Sequence, residues 1–288
     1  MNIEKHKHEK ASNSTVIMHI IAIVSCLIAV VVISFAIYYG SDELNIKTGK
    51  EKEEEKVILK KEELKRDLLE RLENITYTYG ENHIKKENET KSLVDIMYYE
   101  KKEEENAYSI NVYVPYINID SEVVKKFKNK MENTYIKKIQ DIKEKNSKTI
   151  MSTQYLAILQ DNILSIIVST DLKEDTTSQR LLIETFTYDL INDKEISLQE
   201  YLSKNSKYNQ KEITQEVKKY VLEQKEKNST LEEAGFELYK RDENSKMYHV
   251  ENTEYFFVDE NAIYLIYPYG NKNKTREVDI IPILKLDT

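Results

Sequence analysis

The chain has 288 residues, 33% of them charged and 40% hydrophobic, with a net charge of −8. That balance suits a folded body and excludes a disordered polyelectrolyte, while the acidic sign excludes nucleic acid as a partner because phosphates would repel it. The lone cysteine, Cys26, excludes a disulfide framework within the chain.

Residues 16–39 contain no charged side chain. At about 1.5 Å of rise per residue, such a run is long enough to cross a hydrocarbon layer about 30 Å thick. The tail before it, 1–15, sets Lys5, Lys7 and Lys10 against Glu4 and Glu9, which leaves −9 for the remainder. Those lysines favour a cytoplasmic N-terminus under the positive-inside rule. The expectation is a single-pass protein of the cell membrane, with everything after residue 40 extracytoplasmic. The run exceeds the apolar core of a cleaved signal peptide, roughly 7–15 residues. A lipoprotein is the alternative, because Ile23-Val24-Ser25-Cys26 has the form of a lipobox that would anchor the chain at Cys26.

Residues 40–74 are dominated by Lys and Glu, with Val57, Leu64, Leu68 and Leu72 near helical spacing. They read as a charged helical stalk, too short in clean heptads to specify a coiled coil. The oligomeric state stays open.

From 75 to 288 the pattern is that of a folded module. Segment 75–79 is β-branched and aromatic until Gly80 interrupts it. Two further strands are expected at 93–99 and 108–114. In the second, Ile110, Val112 and Val114 face one way, Asn111 and Tyr113 the other, and Pro115 ends it. Asp120 opens a helix with the apolar stripe Val123, Val124, Phe127, Met131, Tyr135, Ile139 and Ile142. Strands at 155–159 and 163–168 flank Asp161-Asn162, residue types that tolerate the positive φ of a hairpin turn. Another strand spans 181–190, and a second amphipathic helix spans 208–226 with Ile213, Val217, Tyr220 and Val221 inward. The chain closes with strands at 255–258, 262–267 and 278–283. Without regular βαβ alternation, the expected class is α+β. The architecture is antiparallel sheet, one or more, packed with two amphipathic helices behind the N-terminal transmembrane helix and stalk. A division into two subdomains near 175–205 stays open.

Chemistry is sparse. The five glycines, Gly40, Gly49, Gly80, Gly235 and Gly270, are too scattered to cradle a phosphate. No serine has the flanking glycines of a nucleophile elbow. Beyond the apolar run only His83 and His249 remain, so no conventional zinc pair exists, and the EF-hand spacing is missing. The expectation is no enzyme, no cofactor and no metal. Glu53-Glu54-Glu55 and Glu103-Glu104-Glu105 read as solvated faces. The one aromatic cluster, Tyr264, Tyr267 and Tyr269 beside Pro268 and Gly270, is the candidate ligand-contact surface.

Several segments occur in a familiar order: Val112-Tyr113-Val114-Pro115-Tyr116-Ile117 before a helix, then Ile163-Leu164-Ser165-Ile166, and then Phe186-Thr187-Tyr188-Asp189-Leu190 ahead of Ile196-Ser197-Leu198. Phe256-Phe257-Val258 and Val278-Asp279-Ile280-Ile281-Pro282 complete the series. Over 75–285 this resembles the extracytoplasmic module of RsiV-type lysozyme-sensing anti-sigma factors and of PdaC-type peptidoglycan deacetylases. Family members often carry a Gly-Gly-Ala-His-like stretch after the Leu-Ser-Ile strand, whereas 171–179 here has neither Gly nor His. Neither a sigma-binding nor a deacetylase domain is expected. The resemblance implies a membrane-tethered binding or sensing module of the bacterial envelope. Its ligand would be a cell-wall component or a basic protein such as lysozyme. The alternatives are an envelope hydrolase with a dispersed carboxylate site and a purely structural envelope protein.

Overall fold

The computed structural model describes residues 49–73, 76–78, 83–86, 89–205, 208–235, 240–270 and 276–285. The expected tail, the 16–39 span, Cys26 and the start of the stalk lie outside the described residues. No helix among the described residues is long and apolar enough to cross a membrane. Two compact units divide between Leu59 and Lys60. In the first, only the opening of helix α1 (Gly49–Glu73) is described.

In the second unit the remainder of α1 is no solvated stalk. Leu64, Leu68 and Leu72 recur every four residues, and all three are buried in a hydrophobic cluster. Charge composition hid this because it is carried on the other faces of the same helix.

The larger sheet runs β4 (Val94–Glu103), β5 (Tyr108–Ile117), β6 (Thr149–Gln160), β7 (Ile163–Glu174), β8 (Arg180–Asp189) and β9 (Lys194–Glu195), with β1 (Thr76–Thr78) joined to β6. A separate hairpin pairs β2 (His83–Lys86) with β3 (Glu89–Ser92). The β6–β7 turn is as expected, Asp161 and Asn162 lying at φ 48° and 64°. β5 and β6, however, are parallel. Parallel neighbours need a long crossover, and the helical segment between them supplies it. The sheet therefore contains a βαβ unit that strand counting did not anticipate.

That crossover comprises α2 (Glu122–Met131), a π turn (Glu132–Ile136) and α3 (Lys137–Lys145). Ser121 caps it, accepting a hydrogen bond from the Val124 N–H at 3.1 Å. Its inward stripe advances in steps of four from Phe127 to Met131, Tyr135 and Ile139, all buried. Each such step overshoots an α-helical turn of 3.6 residues by about 40°. One wider turn absorbs the drift and keeps all four side chains on the sheet. Beneath them lie Ile110, Val112, Val114, Met151, Tyr155, Ile166 and Phe186, with the Phe127 and Phe186 rings 4.5 Å apart.

Pro115 does not end β5, which runs on to Ile117. The β5–β6 ladder stops at Val112 and Thr153, and the β4 partner is irregular between Ile96 and Tyr98. The missing N–H therefore falls where the ladder is already interrupted.

The smaller sheet is β10 (Tyr255–Val258), β11 (Ala262–Tyr267) and β12 (Asp279–Leu284), antiparallel throughout. On one face, Ile263, Leu265 and Ile281 pack with Ile213, Val217 and Val221 of α5 (Gln210–Glu233). The short helix α4 (Leu198–Lys204) joins that cluster through Leu198 and Leu202, its start fixed by a capping box of Ser197 and Glu200. On the other face, Phe257, Tyr264 and Ile266 meet the α1 leucines and Leu156, Ile158, Ile167, Leu181 and Ile183 of the larger sheet. The two sheets thus share one core. Only part of the larger sheet's outer face is covered this way.

Candidate ligand-binding face

Residues paired directly across a sheet project to the same side. The register therefore assembles the uncovered face in rows. One row holds Tyr99 and Tyr113, from β4 and β5. The next runs Lys101, Asn111, Ser152 and Asp171 across β4 to β7, and the third runs Glu103, Ser109, Ile150 and Lys173. Alternate residues of the same strands, among them Ile110, Val112, Met151 and Leu172, are buried beneath the crossover helix. The strands hold these rows because their other faces are locked into the core.

Tyr99 is 51% exposed, and its ring centroid lies 4.5 Å from that of Tyr113 at an interplanar angle of 36°. A hydrogen bond with Tyr99, and to a smaller extent loss of water, raises the Tyr113 hydroxyl above its ordinary pKa. The pair presents a neutral aromatic surface that is wet on its outer side. One row along, the Asn111 Oδ1 atom is shielded from water and has no hydrogen-bond partner among the described residues. An unmet buried acceptor costs roughly 1–3 kcal/mol, so a group that donates to it gains that much. Arg276 borders the face, 3.2 Å from Asp171.

Beyond the third row the face passes into an open depression of about 770 Å³, lined among others by Glu103, Glu104, Glu105, Lys148, Lys173 and Asp175. No histidine or cysteine lines it. Among the described residues no group of three or more His, Cys, Asp or Glu is placed to hold a metal ion. His249 stands 3.3 Å from Glu251, each about half exposed, and the His83 side chain lies outside the described residues. Aromatic rings, an amide, hydroxyls and charges of both signs equip this face to recognise a polar ligand.

The expected tyrosine surface is corrected. Tyr264, Tyr267 and Tyr269 are 0%, 2% and 9% exposed. The strand carrying the first two is buried on both faces, so alternation sends neither outward. The Tyr264 hydroxyl donates to Asp259 at 3.0 Å, and Asp259 also accepts from Arg71 at 2.6 Å. Tyr267 shares a 3.0 Å hydrogen bond with Thr253. The Tyr269 ring lies 4.5 Å from the Arg241 guanidinium, which grips Asp279 through contacts of 2.8–3.2 Å. Burial pushes Tyr267 and Tyr269 up to about 12, and burial with the Asp259 charge carries Tyr264 well above the usual range. These are core residues. Alternation over 108–114 did assign Asn111 and Tyr113 to the polar side of their strand. The missing signal was register, which brings Tyr99 beside Tyr113.

No protein-family model matches the chain, and no curated protein sequence does. Among solved structures it is similar to a DUF3298 family protein from Pseudomonas aeruginosa, at 14% identity and a TM-score of 0.35, covering 64% of this chain and 84% of that one. It is also similar to a DUF3298 family member from Bacteroides fragilis, at 14% identity and a TM-score of 0.30, covering 60% and 80%.

Proposed function

We propose that this chain is a non-enzymatic binding module of a bacterial envelope, anchored by 16–39 and displayed outside the cell membrane. Its ligand is the glycan of a cell-wall component, taken up on the open face of the larger sheet. The observation that carries this reading is the exposed Tyr99–Tyr113 pair beside the unmet Asn111 acceptor. Sugar rings offer an apolar C–H face to an aromatic ring and hydroxyl donors to an amide oxygen, which is the combination presented here. The resemblance over 75–285 to envelope modules supports the same assignment.

Calorimetric titration of the full-length chain with N-acetylglucosamine oligomers tests it. We expect saturable binding, weakened roughly tenfold or more by Tyr99→Ala and by Asn111→Ala. Absence of binding in the unmodified chain overturns the glycan reading. A basic protein such as lysozyme is the second reading, carried by the −9 charge beyond the tail. Binding of that kind would fall steeply as salt is raised, whereas glycan binding would not.

A further inference from the structure

The depression at the end of the open face gathers acids at the β4–β5 turn, and two lysines together with Asp175 on its β6–β7 side. Glu103 and Glu105 stand at the β4–β5 turn, and Lys148 and Lys173 stand at the start of β6 and on β7. None of these four forms an ion pair among the described residues. Glu103 and Lys173 end one row of the sheet, three strand steps apart, or about 14 Å between backbones at roughly 4.8 Å per step.

The walls are fixed in place. The Glu104 N–H donates to the Tyr108 carbonyl at 2.8 Å, the Thr149 N–H to Ala107 at 3.2 Å and the Asp175 N–H to Lys148 at 2.6 Å. Asn106 and Asp175 hold the left-handed turns at φ 60° and 48°. The charged groups are therefore presented by a preorganised backbone, which lowers the cost of binding.

We propose that this depression is a subsite for a short zwitterionic peptide, its ammonium between Glu103 and Glu105 and its carboxylate between Lys148 and Lys173. A lone anion or cation would answer only half of the lining, while an extended di- or tripeptide, at about 3.3–3.6 Å per residue, spans it. The volume suits such a ligand, since small-molecule sites run to roughly 300–1,000 Å³. This goes beyond the reading of the face: the depression adjoins the saccharide rows but takes a free peptide independently of them.

The test titrates the full-length chain with tri-alanine bearing free termini, its N-acetyl derivative and its C-terminal amide. Tri-alanine should bind, and each blocked form should bind roughly tenfold more weakly, the worth of one charge-assisted contact. Lys173→Glu should reverse the preference toward the amide, with circular dichroism confirming the fold. Equal binding of the three peptides, or none, overturns the proposal. Saccharide binding without peptide binding retires this inference alone, and the converse retires only the glycan reading.

Discussion

Asp279 is fully buried and Arg241 is 8% exposed, and the carboxylate accepts from two nitrogens of that guanidinium and from the Tyr248 hydroxyl at 2.9 Å. A buried pair of this kind reveals itself when one partner is removed, because the remaining charge keeps its desolvation cost and loses its counterion. Asp279→Asn should therefore lower the unfolding free energy by about 3–5 kcal/mol in urea titrations. Combining Asp279→Leu with Arg241→Met should recover most of that loss. A cost below about 1 kcal/mol for the single change would show that the pair does not hold the small sheet. In the sequence, Asp279 is one acid among many, and nothing marks Arg241, 38 residues earlier, as its partner. Asn111 was legible as a polar-side residue. Its unmet oxygen was not, because satisfaction of a hydrogen bond depends on neighbours that alternation cannot name.

At the scale of elements, what the local pattern controls was readable. The Asp161-Asn162 turn, the helical stripes and the strands of the small sheet all follow from residue periodicity and turn chemistry. What depends on pairing was not. A one-residue change of register would turn a whole face over, and β5 meets β6 through a partner lying beyond a helix. The crossover helix shows a third case, in which four-residue steps held a legible irregularity. Deleting Asn133 from the π turn would leave inward steps of four, three, four and three after Phe127, the rhythm of an ordinary α-helix. The shortened chain should fold, with a melting temperature close to the parent's. Deleting Lys126 instead rotates Val124 by about 100° from the stripe and should melt far lower. Equal damage from the two deletions would refute the idea that the wide turn merely absorbs drift.

For the molecule as a whole, the proposed anchor and orientation put the entire second unit outside the cell. External protease on intact protoplasts should then digest the chain beyond residue 40 and leave the remainder protected. Full protection would reverse the orientation and remove every extracellular partner with it. The order of assembly follows from one contact already described. Arg71 near the end of α1 closes on Asp259 in the β10–β11 turn, 188 residues later. At about 5–20 residues per second of synthesis, roughly 10–40 s separate the emergence of the two ends of that bond. Throughout that interval the α1 leucines can meet only the larger-sheet part of their cluster, Leu156, Ile158, Ile167, Leu181 and Ile183, because the small sheet that completes it is made last. The helix is consequently seated in full only once the final strands exist, so the first long helix of the folded body is the last to be locked down.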